Sequence, residues 1–234
     1  MKNPIIVALD LPDAASALRL AERLTSVVGA FKIGKELFTA SGPDIVRQFR
    51  AAGASVFLDL KFHDIPHTVA KAVEAATRLD VQMMTIHTSG GLAMMQAAEK
   101  AAQETARQLD RPAPLVLGVT VLTSMDANDL AQTGVNSTPA EQVMLLAQLA
   151  AQSGLRGLVC SPQEITALRK VLPSTMQLVT PGIRPAGSEM GDQKRTLTPK
   201  EAITAGANAL VIGRPITGAT NPQAAAQSIL DSLN

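Results

Sequence analysis

Short apolar runs alternate with longer, Ala-rich amphipathic stretches from one end of the chain to the other. The runs Ile5–Leu9, Ala30–Ile33, Ser55–Leu60, Met83–His87, Leu115–Val119, Gly157–Cys160, Gln177–Thr180 and Ala209–Ile212 read as buried strands. Between them, the spacing of apolar positions predicts helices over Ala14–Thr25, Pro43–Ala52, Pro66–Leu79, Gly91–Leu109, Pro139–Ser153, Gln163–Val171 and Pro199–Ala205, with a last helix near Pro222–Leu233. Strand then helix, repeated, implies parallel strands joined by crossover helices. Roughly eight such units in a chain of this length predict an α/β fold, a (β/α)8 TIM barrel. One domain over residues 1–234 is expected. The competing architecture is a doubly wound open sheet, with fewer strands and a glycine-rich turn after the first. Here the first run leads into Asp10-Leu11-Pro12-Asp13, which has no glycine.

Polar residues interrupt this pattern at particular places. Residues two apart on a regular strand share a face, so Val56, Leu58 and Leu60 face one way and Phe57, Asp59 and Lys61 the other. The first set suits the helix layer, and the second then points into the barrel with two charges at its C-terminal end. Asp10 ends the first strand, Lys32 lies in the second, His87 ends the fourth, and Thr120, Thr123 and Ser124 follow the fifth. One such residue is readily a cap or a surface ion pair. Several charges at strand C-termini mark a site, because buried charge is costly unless paired and barrel active sites lie on that face.

Pro66 places a helix start just after this cluster. Asp64 is expected to begin and cap that helix, with Thr68 at the same end. His63-Asp64-Ile65-Pro66-His67 superficially matches a zinc-binding helix, but Pro66 keeps the two histidines from sharing a helical face by necessity. They are expected to be helix-end residues beside the site.

A long polar, Gly/Pro-rich connection runs from Pro181-Gly182-Ile183-Arg184 to Gln193-Lys194-Arg195, where the other connections are tight. Long loops in compact domains are usually functional or disordered. After the last strand comes Gly213-Arg214-Pro215: the glycine permits close backbone approach, and the arginine is a forked phosphate donor. Barrel phosphate sites commonly use the loops after strands seven and eight. Together these segments predict a phosphate group on the substrate.

Composition narrows the function further. Trp and Tyr are absent and only 5 Phe occur, so the core must be aliphatic and the stacking platforms of single-strand binders are missing. Net charge is +1 with no basic stripe, which argues against nucleic acid as a partner. The first apolar run is too short for a signal peptide, and no stretch reaches the length of a membrane span, so no membrane partner is expected. A lone cysteine, Cys160, suits a reducing cytoplasm and reads as a small core residue rather than a nucleophile.

Asp59-Leu60-Lys61-Phe62-His63-Asp64-Ile65-Pro66 resembles the signature of the orotidine 5'-phosphate decarboxylase family, in its bacterial branch. The likeness extends in order through Val7-Ala8-Leu9-Asp10, Phe31-Lys32-Ile33-Gly34, Thr120-Val121-Leu122-Thr123-Ser124, Pro181-Gly182-Ile183-Arg184, Gly191-Asp192-Gln193-Lys194-Arg195 and Val211-Ile212-Gly213-Arg214-Pro215. One departure is His67, where the bacterial pattern usually has Asn.

The resemblance implies decarboxylation of orotidine 5'-phosphate to UMP, in de novo pyrimidine biosynthesis, with no metal or other cofactor. Lys61 would protonate C6 of the pyrimidine, flanked by Asp59 and Asp64, with Lys32 completing a chain of alternating charges. Asp10 and Lys32 would contact the ribose, and Thr123 and Ser124 the pyrimidine. Arg184, Gln193, Gly213 and Arg214 would hold the 5'-phosphate, with Pro181 also at the substrate. Asp64, Ile65 and Thr68 would reach into a neighbouring subunit's site, which implies a homodimer. Phosphate binding could drive closure of the Arg184–Arg195 loop. The alternative is a related metal-dependent sugar-phosphate decarboxylase or lyase. The continuation Phe62-His63-Asp64-Ile65-Pro66 argues against it.

Overall fold

The computed structural model describes residues 3–185 and 196–233. The elements follow in order as β1 (Ile5–Ala8), α1 (Ala14–Leu24), β2 (Ala30–Gly34), α2 (Lys35–Ser41), α3 (Asp44–Ala51), β3 (Val56–Phe62), α4 (Pro66–Arg78), β4 (Met83–His87), α5 (Gly91–Gln108), β5 (Leu115–Val119) and α6 (Ala127–Gln132). Then come α7 (Pro139–Gln152), β6 (Gly157–Val159), α8 (Ile165–Val171), β7 (Gln177–Thr180), α9 (Pro199–Ala205), β8 (Ala209–Ile212), α10 (Arg214–Thr217) and α11 (Pro222–Asp231). The eight strands are parallel, and each pairs with its sequence neighbours. β8 returns to β1, with Ile5 opposite Leu210 and Val7 opposite Ile212, so the sheet closes into the expected (β/α)8 barrel.

Strand alternation sorts the core into two layers. Val7, Ile33, Val56, Leu58, Met84 and Leu210 pack with helix residues such as Ala17, Val73 and Ala98. Ile6, Ala8, Phe57, Met83, Leu117 and Val211 form a separate cluster inside the barrel. Small Ala8, Ala30 and Ala209 stand beside bulky Phe57 and Met83 there, so the inner layer fills without aromatic stacking.

Helix starts follow local chemistry. Thr138 and Glu141 form a reciprocal capping box at α7, and Thr198 and Glu201 do the same at α9, each with Pro in the first turn. The short helices α2, α6 and α10 fall in segments expected to be connections. Their apolar periodicity is too brief to separate from loop, although Asp126 and Asp129 form a capping box that marks α6.

The start of α4 corrects one expectation. Asp64 neither begins nor caps it. The residue before Pro66 is Ile65, in extended backbone, and no side chain caps the helix. Asp64 Oδ1 instead accepts the Ile65 N–H at 2.7 Å, one residue ahead of the helix.

β3 holds the second correction. It runs two residues past Leu60, to Phe62, and it is not regular. Leu58 pairs with Met84 but Phe62 pairs with Ile86, so three residues on β3 stand against Thr85 alone. Lys61 takes up the excess in a left-handed conformation, φ 52°, one of three non-glycine residues with positive φ among those described.

Candidate active site

The C-terminal ends of the strands open into a cavity of about 590 Å³. Asp10, Lys32, Asp59, Lys61, Thr123, Ser124, Pro181, Arg184, Gly213 and Arg214 all line it. These are the site residues expected from sequence, less four. Asp64, Ile65 and Thr68 are exposed and do not line the cavity. Gln193 lies outside the described residues, as does most of the segment expected to close over the site.

Along one wall, four side chains alternate in sign. Lys61 Nζ lies 2.8 Å from Oδ1 and 2.9 Å from Oδ2 of Asp59. Lys32 Nζ lies 3.5 Å from Asp59 Oδ2 and 3.2 Å from Asp10 Oδ1. The series runs inward from solvent: the Asp10 side chain is 64% exposed, while Lys32 and Asp59 are only 12% and 13% exposed. The outer pair is therefore screened and worth little by itself, whereas the inner groups depend on each other. Burial alone would raise the Asp59 pKa. The charges of Lys32 and Lys61, with hydrogen bonds from Lys61 and Thr85, outweigh it and hold the carboxyl below its ordinary range. Asp59 is thus an anion at neutral pH.

Backbone geometry keeps these groups close together. A Cβ on Gly34 would stand 3.0 Å from Lys32 Nζ and 3.4 Å from Asp10 Oδ1, so a side chain there would press on both.

Elsewhere in the cavity stand two guanidinium groups. Burial lowers the Arg184 pKa and the nearby positive charge of Arg214 lowers it further. Like charges held together in a cleft favour an anion between them. Arg184 is braced by its own segment: its backbone N–H donates to Leu197 O at 3.0 Å and Ile183 bridges Leu197, which pins the two sides of the long connection together. Gly182, at φ 78°, makes the turn into this segment with a backbone that other residues rarely adopt.

One buried hydroxyl escaped the sequence reading. Thr85 is fully buried on β4 and bonds to both Lys61 and Asp59; its signal was a hydroxyl at an inward position between the apolar Met84 and Ile86. Cys160 lines the cavity as well as filling core. Burial pushes its thiol up to about 12, with the nearby Glu164 charge adding to the rise, so it is neutral and a poor nucleophile.

Near Lys61, the rings of His63 and His87 approach with centroids 5.4 Å apart. Burial, then the neighbouring charges of His63, Lys61 and Lys35, lower the His87 pKa to about 4, with Asp59 opposing. Among the described residues, no three His, Cys, Asp or Glu side chains converge in a way that could hold a metal ion.

A closed parallel barrel with an Asp-Lys-Asp-Lys series at its mouth and paired arginines in the same cavity defines a barrel enzyme for a small anionic, phosphorylated substrate. Residues 3–229 match the family described as orotidine 5'-phosphate decarboxylase / HUMPS family, and the chain belongs to that family. It is 52% identical over 229 residues to an orotidine 5'-phosphate decarboxylase of Moorella thermoacetica, covering 97% of this chain and 91% of that one. It is also 52% identical over 229 residues to the enzyme of that name from Vibrio parahaemolyticus, covering 98% and 97%. Among solved structures, orotidine 5'-phosphate decarboxylase from Lactobacillus acidophilus superposes with a TM-score of 0.85 at 36% identity, over 99% of both chains. An uncharacterized conserved protein from Geobacillus kaustophilus superposes with a TM-score of 0.87 at 32% identity, over 99% of this chain and 100% of that one.

Proposed function

We propose that this chain decarboxylates orotidine 5'-phosphate to UMP, the closing step of de novo pyrimidine synthesis, as a one-domain cytoplasmic enzyme. The observation that carries the reading is the alternating series Asp10, Lys32, Asp59, Lys61 sharing one cavity with Arg184 and Arg214. Loss of CO2 from C6 leaves an electron pair with no adjacent carbonyl to spread it. Such a reaction needs a cation fixed where the negative charge develops, in a site that does not reorganise. Lys61 is that cation. The C6–carboxylate bond breaks, CO2 departs, and the pair stays on C6. A proton then passes from Lys61 Nζ to C6, and the neutral amine regains one from solvent. Asp59 holds the Lys61 ammonium in place through both carboxylate oxygens until that moment.

Asp10 and Lys32 hold the ribose hydroxyls, Thr123 and Ser124 border the ring near Pro181, and Arg184, Gly213 and Arg214 take the phosphate, with Gln193 as a fourth partner. Phosphate binding is remote from C6, and its energy serves to order the site.

A homodimer completes the reading. Ile65 is 66% exposed, unusual for so apolar a residue, and Asp64 and Thr68 beside it are also exposed. These three serve the partner subunit's cavity rather than their own.

The test is direct. Purified protein, treated with EDTA, is mixed with orotidine 5'-phosphate, and loss of orotate absorbance is followed together with UMP by chromatography. Stoichiometric UMP is expected. Folded protein that leaves the substrate intact would overturn the proposal. Turnover of a keto-sugar phosphate that EDTA abolishes would favour the sugar-phosphate alternative.

A further inference from the structure

Lys61 is held at both ends. Its backbone N–H donates to Thr85 Oγ1 at 2.9 Å, and its Nζ donates to Asp59 Oδ1 at 2.8 Å. Thr85 Oγ1 lies 3.0 Å from that same carboxylate oxygen. A hydroxyl has one proton. An amide can only donate, so the hydroxyl must accept from Lys61 and give its proton to Asp59. The result is a closed ring: Lys61 amide to Thr85, Thr85 to Asp59, and Lys61 ammonium back to Asp59. Thr85 is 0% exposed, so water does not compete for either bond.

The ring sits where the β3–β4 ladder fails. Three residues of β3 stand against Thr85, and the Lys61 N–H goes to the Thr85 hydroxyl. The left-handed Lys61 at φ 52° is strained, because a Cβ disfavours this backbone. A conformation of this kind persists only where its surroundings over-determine it. Among the described residues, the Thr85 hydroxyl touches both the strained backbone and the carboxylate that receives the ammonium.

We propose that Thr85 is a positioning residue for the decarboxylation: its hydroxyl fixes the left-handed bulge of Lys61 and the rotamer of Asp59 together, and so sets where Lys61 Nζ stands. This rests on the reaction proposed above, since a displacement of about 1 Å at a reacting group can cost on the order of 100-fold in rate.

The experiment compares Thr85→Val, which keeps the shape and loses the hydroxyl, with Thr85→Ser, which keeps the hydroxyl. Thr85→Val is expected to lower kcat about 10- to 100-fold. KM and the dissociation constant for UMP should stay within about 3-fold, because phosphate and ribose contacts are untouched. Thr85→Ser is expected to stay within about 3-fold of wild type in kcat. A merely structural role would lower stability without separating kcat from UMP binding. If the valine variant does not fold, Thr85→Cys, with its weak donor, gives the same comparison.

A second readout needs no substrate. Hydrogen exchange of the Lys61 backbone amide, followed by NMR, should quicken at least about 10-fold in Thr85→Val and stay unchanged in Thr85→Ser. Unchanged exchange in the valine variant, wild-type kcat in it, or an equal loss in the serine variant would overturn the proposal. Should wild-type protein fail to turn over orotidine 5'-phosphate, the reaction assignment falls, and the amide comparison alone decides what Thr85 holds.

Discussion

Lys61 sits almost symmetrically across the carboxylate of Asp59, 2.8 Å from one oxygen and 2.9 Å from the other, while its own backbone is left-handed. Side chain and main chain therefore make opposite demands on this position. Lys61→Ala is expected to lower kcat at least about 1,000-fold, since it removes both the cation and the proton source. Lys61→Gly should be equally inactive but more stable than Lys61→Ala by about 1 kcal/mol, because glycine meets no Cβ penalty at this φ. Urea denaturation of the two variants checks the difference.

The imidazole of His87 offers a pH test. Its pKa is lowered from 6.5 to about 4 in the folded protein. The unfolded chain binds a proton below about 6.5 that the folded one refuses until about 4, so this group stabilises the fold above 6.5 and that contribution is lost as pH falls towards 4. Stability of the wild type should decline across that window. His87→Gln should decline less steeply, as measured by thermal unfolding in a pH series. Equal slopes would remove His87 from the account.

Burial, and then the positive charge of Arg214, disfavour the charged form of Arg184, a setting that an added anion relieves. Inorganic phosphate should therefore raise the melting temperature of wild-type protein, through binding to the folded state alone. Arg214→Ala should blunt that rise and increase KM about 10- to 100-fold, the worth of one charge-assisted hydrogen bond. The same KM with and without Arg214 would place the phosphate elsewhere.

Sharing across subunits is tested by mixing two inactive variants. Lys61→Ala and Asp64→Ala chains, refolded together, should form about half mixed dimers, and one of the two sites in each would be intact. About a quarter of wild-type activity is expected in the mixture. No recovery, with mixed dimers demonstrated by mass spectrometry, would assign Asp64 to its own chain.

The barrel was legible in the sequence because its signal is periodic and repeated: seven of the eight strands fall within a residue of the apolar runs that marked them at each end. The exception, β3, is also the strand that carries Asp59 and Lys61. Its bulge arises from pairing with β4, a tertiary contact that no local spacing reports. Alternation correctly sent both side chains to the mouth, but it could not foresee a left-handed Lys61 or the Thr85 hydroxyl beneath it. Asp64 was misplaced for a related reason. Pro66 announces a helix, yet the chain enters through an extended Ile65, which turns Asp64 away from the capping position.

Closure of the barrel between β1 and β8 also sets an order of assembly. Leu210 N donates to Pro4 O at 2.8 Å, a contact between opposite ends of the chain. Contacts this distant in sequence are slow to form, because loop-closure entropy must be met before they stabilise anything. The charged series draws on β1 to β3 and needs only the first third of the chain. Arg214 follows β8 and takes its place only when the ring of strands is complete. Until then β1 and β8 are free edges, open to pairing with another chain. The chain brings Arg214 to its cavity in the same event that removes those edges, so an incompletely folded barrel has an incomplete cavity and is prone to aggregate.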